Sequence, residues 1–251
     1  MNLKDKVIIV TGGGQGIGRA ISHQLAEEGA KVVIADINEV KGQAVARDIS
    51  RQGYTAMFIK TDVTDEPSTE AMATATVDKY GRIDVLINNA AKFAELGTKP
   101  FSQIPVKEWD DVMAVNLKGA WLCCKAVVPY MKKQGGGKII NTSSSAPNTG
   151  RPLYLHYVTS KAGIVGLSHG LAREVGEWNI NVNAVAYGGI TTEIDRKTWN
   201  VEQQREAINR QCIKREPVPA EVVGTVKYLA SEDSDFLTGQ TIYVNGGSYM
   251  T

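Results

Sequence analysis

The chain has 251 residues, 43% of them hydrophobic and 22% charged, with 28 basic against 27 acidic side chains. A sequence this apolar and this close to neutral is not a disordered one, and it carries no charged field for a nucleic acid or an anionic membrane surface. Three cysteines, Cys123, Cys124 and Cys212, make neither a disulfide framework nor a metal-ligand spacing. The expectation is reduced thiols, no metal and a cytoplasmic setting. The apolar run 7–10 is too short for a signal-peptide core or a membrane span.

The predicted elements alternate in chain order. A strand at 7–11 runs into the glycine-rich string Thr11-Gly12-Gly13-Gly14-Gln15-Gly16-Ile17-Gly18. A helix follows, with Ile17, Ala20, Ile21 and Leu25 on one stripe and Gly29 placed as its C-cap. Strands are expected next at 31–35, 56–60 and 85–88, then a helix at 109–133, a strand at 138–142, a helix at 154–178 and a strand at 181–186. A polar, helix-prone stretch at 191–215 precedes a helix at 220–230 and a strand at 241–244. Most of the strands are near-continuous apolar runs, the pattern of strands covered on both faces. The whole chain therefore predicts a single α/β domain over 1–251: a doubly wound Rossmann domain with a seven-stranded, mostly parallel sheet and helices on both faces. The stretch 191–215 follows the sixth strand, and ligands in such sheets bind beyond strand C-terminal ends. It is expected to be a mobile substrate lid.

The glycine string lies where a tight strand-to-helix turn must let backbone approach a phosphate, and the helix N-terminus behind it favours negative charge. Gly12, Gln15, Gly16, Ile17 and Gly18 are therefore candidate pyrophosphate contacts. Asp36 ends the second strand eighteen residues after Gly18. A carboxylate there accepts hydrogen bonds from both adenosine ribose hydroxyls and repels a 2′-phosphate; a turn or helix-cap role suits the same position. The nearby sequence offers Gln15 and Ile37 rather than a cation, which favours NAD over NADP.

Tyr157 and Lys161 stand four apart, one turn along a helix. A phenol is a poor base at neutral pH, and a fixed ammonium beside it lowers its pKa. It then removes an alcohol proton while hydride leaves for the cofactor. Ser144, at the end of the fifth strand, is placed to hold the substrate oxygen.

These motifs together resemble the short-chain dehydrogenase/reductase family, in its common NAD(P)-dependent branch of about 250 residues, over essentially the whole chain. The resemblance rests on Thr11 to Gly18, Asp62-Val63, Asn88-Asn89-Ala90, Asn116, Ser144 and Tyr157-Val158-Thr159-Ser160-Lys161. Ser144 is singled out from Ser143 and Ser145 because it lies thirteen residues before Tyr157. The resemblance implies that Asp62 contacts adenine, that Val63 and Asn89 line the cofactor, that Lys161 binds the nicotinamide ribose, and that Asn116 holds a water linking Lys161 to solvent. It aligns Ile190 and Thr192 with carboxamide contacts. Ala91, Tyr187 and Asn245 depart from the glycine, proline and aspartate that the family usually carries.

The substrate pocket is expected from Ser144, Ser145, Ala146, residues 147–148, Tyr154, Tyr157, Tyr187, Phe93, Ala94 and the lid, with Arg151 and Arg196 as the only candidate clamps. Its small and aromatic residues fit a neutral secondary alcohol or ketone better than a strongly anionic one. His156 is expected as a packed or exposed histidine, and Cys123 and Cys124 as buried apolar residues. A homotetramer built on the two long helices is implied by the resemblance. The alternatives carried are a non-catalytic dinucleotide-binding regulator on the same fold and epimerase or dehydratase chemistry.

Overall fold

The computed structural model describes residues 1–198 and 200–250. In chain order its elements are β1 (Val7–Thr11), α1 (Gly16–Glu27), β2 (Lys31–Asp36), α2 (Glu39–Arg51), β3 (Ala56–Lys60), α3 (Glu66–Tyr80) and β4 (Val85–Asn88). There follow α4 (Val106–Met113), a π turn (Ala114–Lys118), α5 (Gly119–Gln134), β5 (Gly137–Ser144), α6 (Ala146–Thr149) and α7 (Leu155–Val175). The chain closes with β6 (Ile180–Tyr187), α8 (Val201–Arg210), α9 (Ala220–Ala230) and β7 (Thr241–Val244).

The seven strands form one sheet in the order β3-β2-β1-β4-β5-β6-β7, and every neighbouring pair is parallel. Side chains of a strand alternate between faces, and here both faces are apolar. Ile8 and Val10 of β1 join Val32, Ile34, Ile140 and Val185 in a core closed by Ile21 and Leu25 of α1, Val45 and Ile49 of α2 and Val226 of α9. Ile9 points the other way, with Val33, Leu86 and Ile139, into a core closed by Met72 of α3, Val127 and Met131 of α5 and Val175 of α7. Each such fully buried aliphatic side chain contributes roughly 1.5–3 kcal/mol relative to exposure. Cys123 and Cys124 belong to the second core, as expected of buried apolar residues.

The strand order reverses between β1 and β4, so the crevice beyond their C-terminal ends is where such a sheet takes a ligand. The expected helix 109–133 is in fact two helices joined by the π turn. The continuous helical stretch Val106–Gln134 is long and apolar enough to cross a membrane, but half of its most apolar window is buried inside the fold. The expected lid is mostly irregular and holds one helix, α8, started by a capping box in which Asn200 accepts from Gln203 N at 2.8 Å and Gln203 Oε1 accepts from Asn200 N at 2.9 Å.

Candidate active site

The glycine loop is built by close approach of backbone to backbone. Gly12 and Gly16 hold φ of +62° and +56°, which a side chain disfavours. At Gly18 a Cβ would stand 2.1 Å from Gly12 O and 2.5 Å from Asn89 Nδ2, so only glycine fits. Asn89 closes the loop from β4, donating from Nδ2 to Thr11 O at 2.9 Å and Gly12 O at 3.1 Å. The Thr11 hydroxyl accepts from the N–H groups of Asn89 and Ala90 at 3.0 and 3.1 Å. The two strand ends that flank the crevice are thus fastened together.

Asp36 is buried at the end of β2. Its carboxylate accepts from Gly14 N at 2.9 Å and from Asn38 N at 2.8 Å. The turn-forming role is thus seen, and Asp36 still lines the crevice. One expectation needs correction. Lys41, from α2, bonds its Nζ to Gln15 Oε1, so a cation does stand beside the loop. It reaches there across the first turn of α2, a contact that adjacency in sequence does not reveal.

The crevice is a cleft of about 270 Å³ lined by Gly12, Gln15, Ile17, Gly18, Asp36, Asp62, Val63, Asn89, Tyr157, Lys161, Ile190 and Thr192. Gly16 is set apart from these expected contacts. Its N–H donates to Glu193 Oε1 at 2.8 Å, and a Cβ on it would meet Ile194 Cδ1 at 2.7 Å. Glu193 also pairs with Arg19 at 3.3 Å. Burial raises its carboxyl, but the Gly16 N–H, its own N–H and the charges of Arg19 and Lys41 outweigh this and hold it below the ordinary range. The lid thus lies across the phosphate loop. On the other side Lys197 N donates to Ala94 O at 3.0 Å.

The three consecutive serines are sorted by the structure. Ser143 donates to Lys161 O at 2.9 Å and Ser145 to Tyr187 O at 3.2 Å, whereas Ser144 lines the cavities and accepts from Ala146 N at 3.1 Å. Lys161 is buried, with Nζ donating to Thr142 O at 2.8 Å and lying 5.9 Å from the Tyr157 ring centroid. Burial pushes its ammonium down to about 8. The expectation that Lys161 lowers the Tyr157 phenol is corrected here. Burial dominates and raises the phenol; Ser144, by a hydrogen bond, and the charges of Arg196 and Arg151 pull it part of the way back.

Asn116 sits on the π turn. Its Oδ1 accepts from Lys92 N at 2.7 Å, and its Nδ2 donates to Lys92 O at 3.2 Å and Ser160 Oγ at 3.1 Å. Both amide donors are therefore committed. A void of about 10 Å³ beside it is lined also by Lys161 and Thr142, about the smallest space that admits one water.

A second cleft of about 190 Å³ carries seven of the expected substrate residues: Phe93, Ser144, Ser145, Ala146, Tyr154, Tyr157 and Tyr187. Residues 94, 147 and 148 stay outside it. Ala94 is used by Lys197, and Asn148 Oδ1 accepts from Tyr243 OH at 3.0 Å. Tyr154 donates to Phe93 O at 2.9 Å and packs its ring 4.9 Å from that of Tyr157. His156 is fully buried, edge-on to Tyr154 and 2.9 Å from Glu108 Oε1, as a packed histidine. Among the described residues the buried hydroxyls of Tyr187 and Thr142 have no hydrogen-bond partner outside this pair. They line the larger cleft. With the side-chain-free cradle at Gly18, these otherwise unpartnered groups make the crevice fit a dinucleotide with its polar end over β5 and β6. Among the described residues no cluster of His, Cys, Asp and Glu suits a metal.

The family model described as enoyl-(acyl carrier protein) reductase matches residues 12–249. A short-chain dehydrogenase/reductase from Aspergillus oryzae is 38% identical over 251 residues, covering 98% of this chain and 95% of that protein. The chain belongs to the short-chain dehydrogenase/reductase family. Other relatives in the family include a probable galactose dehydrogenase from Rhizobium meliloti, 37% identical over 250 residues (99% of this chain, 96% of that protein). A 3-oxoacyl-[acyl-carrier-protein] reductase from Staphylococcus aureus is 37% identical over 246 residues, or 98% of each chain. The protein is thus an oxidoreductase of a family that uses NAD(P), acts on small molecules and forms oligomers. The expected lid 191–215 does reach the smaller cleft, through Arg210 and Gln211, but sequence reasoning missed that its Glu193 and Ile194 meet the phosphate loop and that Ser248 lines the smaller cleft. Glu193, Ile194 and Ser248 come from irregular segments with no periodicity to mark them.

Proposed function

We propose that this short-chain dehydrogenase/reductase interconverts a secondary alcohol and its ketone, with NAD as the hydride carrier. The observation that carries the reading is the wall shared by the two clefts: Ser144 and Tyr157 line both. A substrate in the smaller cleft meets, at that wall, a hydroxyl and a phenol beside the space that suits a nicotinamide.

Ser144 Oγ positions the substrate oxygen, and the Tyr157 phenol exchanges the proton of that oxygen. The bound nicotinamide supplies the site that accepts or releases hydride. Lys161, anchored on Thr142 O, offers ammonium donors to the ribose hydroxyls and keeps positive charge near the phenol. Proton passage from Lys161 leads through the small void beside Asn116. The Asn116 donors are taken, so a water there is held by an oxygen acceptor rather than by its NH₂ group. Gly12, Ile17 and Gly18 cradle the pyrophosphate, and Asp62, Val63 and Asn89 line the adenosine side. Asp36 supports NAD, since a 2′-phosphate beside its carboxylate is repelled. We also read the protein as a cytoplasmic homotetramer, on its reduced thiols and the family's oligomeric habit.

The test is NADH formation over a panel of secondary alcohols, repeated with Tyr157→Phe. Loss of positioned acid–base catalysis lowers kcat by about 10²–10⁴-fold. A variant that keeps more than about a tenth of the turnover overturns the role of Tyr157. Equal or better turnover with NADP overturns the role of Asp36.

A further inference from the structure

The first turn of α1 has a donor that the larger cleft does not use. Ile17 and Gly18 line that cleft, and Gly16 does not. Gln15 provides no side-chain cap for α1, and the first turn holds no acid. The positive end of the helix is therefore left for an anion from elsewhere. The lid brings one to Gly16. Glu193 Oε1 accepts from Gly16 N at 2.8 Å and lies 3.3 Å from Arg19 Nη2. Burial alone raises the Glu193 carboxyl, but the Gly16 N–H, its own N–H, Arg19 and Lys41 hold it below the ordinary range. It is an anion at neutral pH. The lid residues on either side turn the other way: Thr192 and Ile194 line the larger cleft, and Glu193 does not. Ile194 lies against Gly16 so closely that a Cβ there would meet its Cδ1 at 2.7 Å. Farther along, Lys197 N donates to Ala94 O at 3.0 Å. The lid is thus tied at two places, to Gly16 and to Ala94.

We propose that Glu193 is a latch: it pins the lid to the first turn of α1, holds Thr192 and Ile194 over a bound dinucleotide, and sets how fast that dinucleotide leaves. This rests on the dinucleotide reading above and goes beyond it by naming what retains the cofactor. Glu193 acts through the lid, so it is a positioning residue. The latch and the cofactor draw on different donors. The carboxylate takes the Gly16 N–H, outside the cleft, and leaves those of Ile17 and Gly18 to the pyrophosphate. One helix end therefore serves two anions without sharing a hydrogen bond. Arg19 and Lys41, whose charges act on Glu193, offset the repulsion between the two. The tie is also built to break. The Arg19 and Glu193 side chains are 48% and 43% exposed, and an exposed ion pair is a weak one. Opening the latch disturbs a surface segment and leaves the two cores untouched, as a lid that must release a cofactor requires.

The test measures NADH release by stopped-flow fluorescence, chasing bound NADH with excess NAD, in wild type, Glu193→Ala, Glu193→Gln and Asp195→Ala. Glu193→Ala should release NADH about 3–30-fold faster, the range for loss of a helix-cap acceptor. Glu193→Gln should fall between it and wild type, because an amide oxygen still accepts from Gly16 N–H. Asp195→Ala, which removes an exposed lid charge two residues on, should match wild type. A second readout needs neither cofactor nor turnover. Tryptic cutting after Lys197 in the cofactor-free protein should quicken in Glu193→Ala by a similar factor, since cutting follows the open population. Release from Glu193→Ala that is unchanged or slower overturns the latch, and slower release shows instead that the carboxylate repels the pyrophosphate. Asp195→Ala as fast as Glu193→Ala, or tryptic cutting at the wild-type rate, overturns it as well. All of these leave the dinucleotide reading intact, whereas a wild type that binds no NADH overturns that reading itself.

Discussion

Replacing Lys161 by methionine should make the protein more stable and far less active. The Nζ is buried and makes one hydrogen bond, to Thr142 O at 2.8 Å. Burial displaces its pKa from 10.5 to about 8. At about 1.4 kcal/mol per pH unit, that displacement costs about 3 kcal/mol of stability near neutral pH. Methionine has similar length and no charge, and losing the hydrogen bond returns about 1 kcal/mol. The net gain of about 2 kcal/mol corresponds to a rise of roughly 4–8 °C in Tm for a chain of this size. The sign with pH follows from the lowered folded pKa. Between about 8 and 10.5 the unfolded chain holds the proton and the folded one does not, so wild-type stability rises through that window. The variant lacks this rise. Thermal unfolding of cofactor-free wild type and Lys161→Met at pH 7 and pH 10 should show the variant ahead at pH 7 and the gap narrowed at pH 10. A variant that melts at or below the wild type at pH 7, or a gap that stays constant with pH, refutes the burial argument. Turnover of the variant should fall, since the ammonium that we propose binds the ribose, and that lies 5.9 Å from the Tyr157 ring centroid, is gone.

Gly18→Ala should abolish dinucleotide binding, because the new Cβ would lie 2.1 Å from Gly12 O and 2.5 Å from Asn89 Nδ2; NADH fluorescence titration checks this, and a wild-type Kd refutes it. Asp36→Ala removes a charge and two backbone tethers while leaving Lys41 in place. The NADP-to-NAD ratio of kcat/KM should rise by more than about tenfold, since a like-charge contact of several kcal/mol is relieved; an unchanged ratio places cofactor choice elsewhere. Burial pushes the Cys123 thiol well up and the Cys124 thiol up to about 12, whereas Cys212 is exposed. Iodoacetamide at pH 8 should therefore label Cys212 alone in the native protein and all three after denaturation, as read by peptide mass spectrometry. Native labelling of Cys123 or Cys124 would show that the second core opens.

The fold was open to reading because its signals are local. Near-continuous apolar strands and helices of period near 3.6 depend on neighbours a few residues away, and they place β1, α1, β5, α7 and α9 within a few residues of where they lie. The glycine string and the four-residue spacing of Tyr157 and Lys161 are local in the same sense. The π turn within 109–133 was not readable. Just after it, Gly119 is set against Val63 so closely that a Cβ would meet Val63 Cγ2 at 2.8 Å, a contact that no local pattern marks.

The electrostatics of the site belong to the tertiary structure altogether. Composition made the chain neutral and the pocket apolar, but folding sets Glu193 on the Gly16 N–H, Lys41 beside Gln15, and Arg151 with Arg196 around Tyr157. These groups come from a lid without periodicity, from the next helix and from a loop. No spacing along the chain encodes which charges meet when the strand ends converge. By itself the sequence determined the order of strands and helices and the residue types at the reacting centre. The tertiary structure decided which charge each of them feels, because desolvation and charge–charge energies depend on distance and burial in space, and those exist only once the sheet is assembled.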